Sequence, residues 1–92
     1  MNRLEKAIKY MEDAELSLVL LGSDEEQMDF ADAFVGVIDD SIAVYERDKV
    51  IEVFINRDGM SYEEAIEWFD FNVQGAYVGE QTPLYIQTDF TD

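Results

Sequence analysis

The chain has 92 residues, of which 22 are Asp or Glu and six are Lys or Arg, so its formal net charge is −16. This length predicts one domain, residues 1–92, with a core large enough to fold without a metal ion or a disulfide. There is no Cys, which excludes disulfides and thiolate metal sites. No apolar run approaches the ~18 residues of a membrane span, and the charged first residues do not have the pattern of a signal peptide. We therefore expect a cytoplasmic protein.

The charge is unevenly distributed along the chain. The six bases fall into two groups, Arg3, Lys6 and Lys9, and then Arg47, Lys49 and Arg57. The sequence from Asp58 to the end contains no base. Such a field repels nucleic acid and anionic membranes and attracts basic surfaces. We therefore expect no direct binding to nucleic acid or membrane, and two explanations of the charge stay open, solubility and a basic partner.

An amphipathic helix is predicted at the N-terminus. Its apolar residues recur at the spacing of one helical face, and they are Leu4, Ala7, Ile8, Met11 and Ala14. The apolar run Leu18–Leu21 either continues this helix up to Gly22 or forms a short strand, because periodicity does not separate the two over so few residues.

A second helix is predicted from a local capping signal. The sequence SDEE at Ser23–Glu26 has the pattern of a capping box, in which the serine accepts a hydrogen bond from a backbone N–H and the glutamate accepts one in return. The predicted helix runs from Asp24 to about Ala33, with Met28, Ala31 and then Phe34 facing the core.

A hairpin and a third helix are predicted in the middle of the chain. Residues of the β-branched and aromatic types dominate from Val35 to Tyr45, and Asp39 and Asp40 interrupt them. This pattern predicts two strands joined by a tight acidic turn. The sequence DKVIEVFINRD predicts the helix that follows, and Gly59 is the residue type preferred just past a helix end.

A fourth helix is predicted from a second capping box, SYEE at Ser61–Glu64. One face of this helix is apolar and contains Tyr62, Ile66, Phe69, Val73 and either Ala76 or Tyr77. Another face is polar and contains Glu63, Glu67, Asp70 and Gln74. Trp68 and Phe71 flank the polar face. The alternating sequence LYIQT then predicts a last strand.

Together these elements predict an α+β fold in the order α-α-β-β-α-α-β. Helices pack on one face of a small, antiparallel, three-stranded sheet. The last strand pairs with the earlier hairpin. The sequence contains no internal repeat, low-complexity segment or interdomain linker.

Catalysis and metal binding have weak support in the sequence. There is no His for general-base work and no Cys nucleophile, so we expect a protein that is not an enzyme. A calcium loop built on Asp58 and Gly59 fails on spacing, because its first and last ligand positions are Phe54 and Ala65. We expect no cofactor and no metal site.

The polar face with its flanking aromatic rings is the candidate binding site. Glu63, Glu67 and Asp70 recur about 5–6 Å apart along a helix, in a row of anions that loosely resembles the phosphates of a nucleic-acid strand. In this interpretation Trp68 and Phe71 are apolar anchors that contact a basic groove of the partner. In the alternative interpretation the two rings belong to the core and the acids form its solvated side.

The segment from Ala43 to Ile86 resembles a family of small acidic uncharacterised proteins encoded by phages and prophages. The resemblance is carried by two sequences, GMSYEEAIEWFDFN from Gly59 to Asn72 and GAYVGEQTP from Gly75 to Pro83. It covers about half the chain, and residues 1–41 take no part in it. No activity is settled for that family.

A function follows from the resemblance only by analogy. Small acidic phage proteins often bind and block host proteins, and anti-CRISPR and anti-restriction DNA mimics are the analogues. The chain is then expected to be an inhibitor, in the cytoplasm of a bacterial host, of a basic nucleic-acid-binding protein or complex of a defence system. The residues expected to contact this partner are Glu63, Glu67, Asp70, Trp68, Phe71 and Glu80.

Two other hypotheses stay open. In the first, the chain is a phage assembly or housekeeping protein, and Trp68, Phe71 and Tyr77 form a symmetric apolar patch that joins a homodimer. In the second, and weaker, a cluster of carboxylates binds a metal ion for catalysis.

Overall fold

The structure, a computed structural model, describes residues 1–88. Its helices are α1 (Arg3–Asp13), a 3-10 helix (Gln27–Ala33), α2 (Arg47–Asp58), α3 (Tyr62–Trp68) and a π-helix (Phe69–Gln74) that directly continues α3. Its strands are β1 (Phe34–Ile38), β2 (Ile42–Glu46) and β3 (Leu84–Ile86). The predicted α+β class and the predicted order of elements are confirmed.

The sheet is mixed, although the sequence predicted an antiparallel one. Its strand order is β1-β2-β3, with β1 antiparallel and β3 parallel to β2. The predicted acidic turn joins β1 to β2, and Asp39 and Asp40 both have positive φ, of 52° and 55°, a conformation that Asp tolerates better than most residues. The connection from β2 to β3 runs through α2, α3 and the π-helix, and a crossover through helices is what a parallel pair requires.

The helices cover one face of the sheet, as predicted. Tyr45 lies at the centre of that face, fully buried, with its ring 5.6 Å from the ring of Phe34 and 6.1 Å from the ring of Tyr85. The core that surrounds it contains Leu4, Phe30, Ala33, Ala43, Val50, Ile51, Phe54, Ala65, Phe69 and Val73. Side chains alternate across a strand, so Val44 faces the other side of the sheet, where Leu84 and Ile86 are exposed.

The segment between α1 and the 3-10 helix differs from both sequence alternatives. Helix α1 ends at Asp13, and Glu15 has a left-handed φ of 58°, so the helix does not continue into Leu18–Leu21. That run is not a strand either, and it packs as coil against the core. The backbone N–H of Leu21 donates a hydrogen bond to the hydroxyl of Tyr45 at 3.1 Å, which ties the coil to the sheet.

The capping box predicted at Ser23 does not form. The Ser23 hydroxyl donates to the Glu26 carboxylate at 2.9 Å instead of accepting from the backbone, and the helix that follows is a 3-10 helix. A 3-10 helix has three residues per turn, so residues i and i+3 share a side. Phe30 and Ala33 are therefore the buried pair, and Met28, which was predicted to face the core, is exposed.

The caps predicted in the second half are confirmed. Gly59 ends α2 with a φ of 70°, in the left-handed region, and its N–H donates to the carbonyl of Ile55 at 3.1 Å. At the start of α3 the N–H of Glu64 donates to the Ser61 hydroxyl oxygen at 3.2 Å, and the N–H of Ser61 donates to the Glu64 carboxylate at 3.0 Å. These two caps end α2 and begin α3 within three residues.

We expect the stability of the fold to fall in alkali. Burial raises the pKa of the Tyr45 and Tyr85 hydroxyls above their ordinary value. The folded state favours the neutral phenols. Their contribution to the free energy of unfolding is therefore complete below about pH 10, and it is lost as the pH rises through the folded-state pKa. The measurement is urea unfolding followed by circular dichroism at about pH 8 and about pH 11. Between these two pH values Tyr85→Phe should lose less stability than the native chain. An equal loss would contradict the role of the buried Tyr85 hydroxyl in the pH dependence.

Candidate functional site

Four of the six bases form ion pairs within the described residues, namely Lys9, Arg47, Lys49 and Arg57. Arg57 contacts three carboxylates and two aromatic rings. Its guanidinium lies 3.1 Å from Glu26, 3.2 Å from Asp29, 2.8 Å from Asp58, and 5.4 and 5.9 Å from the ring centroids of Phe30 and Phe54. Hydrogen bonding to Asp58 raises the pKa of Arg57 and, in return, lowers the pKa of the Asp58 carboxyl. This guanidinium therefore joins the 3-10 helix to α2.

Arg47 has the same kind of surroundings at the start of α2. Its guanidinium carbon lies 5.3 Å from the ring centroid of Phe69, and its two terminal nitrogens lie 3.7 Å from Asp70 and 3.5 Å from Asp48. Asp70, one of the acids predicted to contact a partner, is therefore an intramolecular ion-pair partner of Arg47. Its side chain stays half exposed, and Arg47 offsets part of its charge.

A groove on α3 and the π-helix contains three of the predicted site residues. Glu67, Trp68 and Phe71 lie together there. The groove has a volume of about 440 Å³ and is also lined by Met60, Glu64 and Asn72. The Trp68 side chain is 46% exposed and the Phe71 side chain is 81% exposed, so both rings are accessible. This exposure contradicts the alternative interpretation, in which both rings belong to the core.

The other predicted site residues lie outside this groove. Glu63 is exposed on α3 and does not line the groove. Glu80 lies in the turn between Gly79 and Thr82, which precedes β3. Tyr77, proposed for a symmetric apolar patch, is 77% exposed in the loop after the π-helix and does not line the groove either.

The charge of the groove is entirely negative. A backbone hydrogen bond from Ser61 lowers the pKa of the Glu64 carboxyl, so this group stays ionised into the acid range. Glu67 is exposed and forms no ion pair within residues 1–88. Two carboxylates, two aromatic rings, a thioether and an amide thus line a groove to which residues 1–88 contribute no base. This set of groups is suited to hold a cation that has a flat or apolar part.

The sequence interpretation missed three lining residues, Met60, Glu64 and Asn72. A signal for them was present, because Met60, Glu64, Trp68 and Asn72 follow one another at intervals of four. Glu67 and Phe71 form the adjacent row at the same interval. Residues four apart are neighbours on a helix surface, so these two rows predict the walls of a groove.

A larger cavity lies between the 3-10 helix and α2. Its volume is about 610 Å³, and its lining combines acids with bases: Asp29, Asp32, Lys49, Glu52, Val53, Asn56 and Arg57. Both bases are already engaged, Arg57 as described above and Lys49 with Glu46 at 3.4 Å. This cavity contains none of the predicted site residues.

Three further observations bear on the site. Residues 1–88 contain no group of three or more acidic side chains placed to hold a metal ion. In the same part of the chain, none of the helices combines the length and the apolar character needed to cross a membrane. Comparison of the chain with protein-family models, curated proteins and solved structures finds no match.

Proposed function

We propose that the protein is a phage-encoded inhibitor that binds a basic, nucleic-acid-binding host defence protein or complex and competes with the nucleic acid. The observation that carries the proposal is the groove on α3 and the π-helix, where two exposed aromatic rings lie beside carboxylates. Aromatic side chains in such a setting are typical anchors of protein interfaces. The phage origin and the defence target rest on the sequence resemblance and its analogy.

The acidic field supports the choice of a basic partner. Of the six bases, Lys9, Arg47, Lys49 and Arg57 are in intramolecular ion pairs, which leaves a surface dominated by carboxylates. A field of one sign raises the rate of association with a surface of the other sign and falls with added salt. Because Asp70 is paired with Arg47, the proposed mimicry is of charge density and not of the regular spacing of phosphates along a strand.

The test is a pair of charge-reversal variants with equal net charge. The protein is immobilised and exposed to nuclease-treated lysate at about 0.15 M salt, where the Debye length is about 8 Å. We expect a captured complex that added DNA or RNA releases. Glu63→Lys combined with Glu67→Lys should weaken its binding at least about tenfold, equivalent to about 1.4 kcal/mol. Glu12→Lys combined with Glu25→Lys, on exposed positions elsewhere, should change binding by about twofold or less.

If both variants weakened binding equally, net charge alone would explain the effect, and the assignment of the binding face to α3 would be wrong. If added DNA or RNA did not release the captured complex, competition with nucleic acid would be excluded as the mechanism. Circular dichroism of both variants serves as the folding control, because all four positions are exposed.

A second candidate function is assembly through a homodimer. It is favoured by the exposure of Trp68, Phe71 and Tyr77, three large aromatic side chains within ten residues of sequence. Two copies that each carry −16 repel one another, so an apolar interface has to overcome that repulsion. Light scattering distinguishes the candidates, because a dimer that persists at all salt concentrations and is lost in Phe71→Ser supports assembly, and a monomer throughout excludes it.

A further inference from the structure

We infer that the groove on α3 and the π-helix is a receptor for an arginine side chain of the partner protein. The inference rests on the proposed function, because it specifies the chemistry by which the acidic face recognises a basic surface. It assigns the aromatic rings to the flat faces of a guanidinium and the Glu67 carboxylate to its N–H groups.

The chain itself binds two of its own arginines in this way. Arg47 lies over the ring of Phe69 with Asp70 and Asp48 at its nitrogens. Arg57 lies over two rings with three carboxylates at its nitrogens. In both places an aromatic face and a carboxylate hold the guanidinium together, which is a favourable combination because the two attractions act on different parts of the group.

The groove contains the same combination of groups. Trp68 and Phe71 supply aromatic faces, and Glu67 and Glu64 supply carboxylates. Glu64 already accepts from the Ser61 N–H through one oxygen, so Glu67 is the carboxylate available to a partner. No arginine or lysine of residues 1–88 lines this groove, which separates it from the two intramolecular sites. Its charge is therefore complementary to a cation that comes from another molecule.

Arginine suits the groove better than lysine does. A guanidinium is planar, stacks on aromatic rings and presents a fork of donors that matches a carboxylate. An ammonium is a compact and strongly hydrated charge, which gains less from the face of an indole. We therefore expect the groove to distinguish arginine from lysine at equal charge, which a purely acidic surface does not do.

The chain has one tryptophan, Trp68, so its fluorescence reports directly on the groove. The probe is a blocked tri-arginine peptide, with tri-lysine and tri-citrulline as controls, because citrulline has the shape of arginine without the charge. We expect a saturable change in Trp68 emission with tri-arginine, an affinity for tri-lysine weaker by at least about threefold, and no response to tri-citrulline.

Matched variants separate the groove from the general field. Glu67→Gln should weaken tri-arginine binding by about three- to fivefold, the effect of one exposed ion pair. Phe71→Leu, which keeps an apolar side chain but removes the ring, should weaken it by a similar factor. Glu12→Gln makes the same charge change as Glu67→Gln at an exposed position on α1, and it should change the affinity by less than about twofold.

Three results would overturn the inference: equal affinity for tri-lysine and tri-arginine, no change in Trp68 emission, or equal weakening by Glu12→Gln and Glu67→Gln. Its failure is distinguishable from failure of the proposed function. If a nucleic-acid-competed complex is captured but the peptide tests fail, the function stands and the arginine receptor is excluded. If the peptide tests succeed and no such complex is captured, the groove chemistry stands and the proposed function is excluded.

Discussion

Phe69→Ala should lower the free energy of unfolding by about 3–5 kcal/mol, the range for removal of a buried aromatic ring. Phe69 is fully buried, its ring meets the ring of Tyr85 edge-on at 5.0 Å, and Arg47 lies over it. A domain of this size has a net stability of about 5–13 kcal/mol, so the variant retains only part of it. Urea and thermal unfolding followed by circular dichroism measure the loss, with an expected decrease in the melting temperature of at least about 12 °C.

The matched control lies two residues further along the chain. The Phe71 side chain is 81% exposed, so Phe71→Ala should change the free energy of unfolding by no more than about 0.5 kcal/mol. If the two variants lost similar stability, the register of the π-helix would be wrong, because it is this register that turns Phe69 inward and Phe71 outward. The control also establishes that Phe71 is free to be changed in binding experiments.

Arg57→Ala should lower the free energy of unfolding by about 2 kcal/mol, the second largest effect we expect. The substitution removes contacts with two aromatic rings, each worth about 0.5–1 kcal/mol. It also leaves Glu26, Asp29 and Asp58 close together without their cation, and like charges at short range repel. The same unfolding experiment at about 0.05 M salt measures the loss.

Salt and a matched variant, Lys9→Ala, test the cause of this loss. Added salt screens the three acids from one another, so the difference between Arg57→Ala and the native chain should shrink at about 0.5 M salt. Lys9→Ala changes the net charge equally but removes only an exposed pair with Asp13, and it should cost no more than about 0.5 kcal/mol. A loss as large as that of Arg57→Ala would mean that net charge alone determines stability.

The features that sequence predicted well are those decided by near neighbours. The capping box at Ser61–Glu64 and the left-handed Gly59 need only a few adjacent residues, and both form. The hairpin between β1 and β2 is similar, because two adjacent Asp residues can adopt the positive φ that its turn requires.

The failures occur where a distant residue competes with a local preference. SDEE and SYEE have the same capping pattern, yet only the second forms a box. At the first, one oxygen of the Glu26 carboxylate accepts from the Ser23 hydroxyl and the other pairs with Arg57 of α2. In the predicted row of acids, Asp70 likewise has an ion-pair partner from another element, Arg47 of α2. Neither contact is visible in local sequence patterns.

The groove was only partly predictable for a different reason. The flanking position of Trp68 and Phe71 followed from helical spacing, and their exposure agrees with it. The change from α-helix to π-helix at Phe69 was not predicted, since helical periodicity assumes i→i+4 bonding throughout. The rows at intervals of four were present in the sequence, but no chemical motif marked them as the walls of one groove.

The parallel pairing of β2 with β3 has a consequence for the order in which the chain folds. Thirty-seven residues separate the end of β2 from the start of β3, whereas the β1–β2 turn is a local contact. Closing a long loop has an entropic cost before any contact compensates for it, so local pairs form early and distant parallel pairs form late. The hairpin is therefore expected to assemble first, with β3 added only after α2, α3 and the π-helix have packed. The residues of the groove belong to this connection between β2 and β3. The groove is therefore expected to form before the sheet is complete.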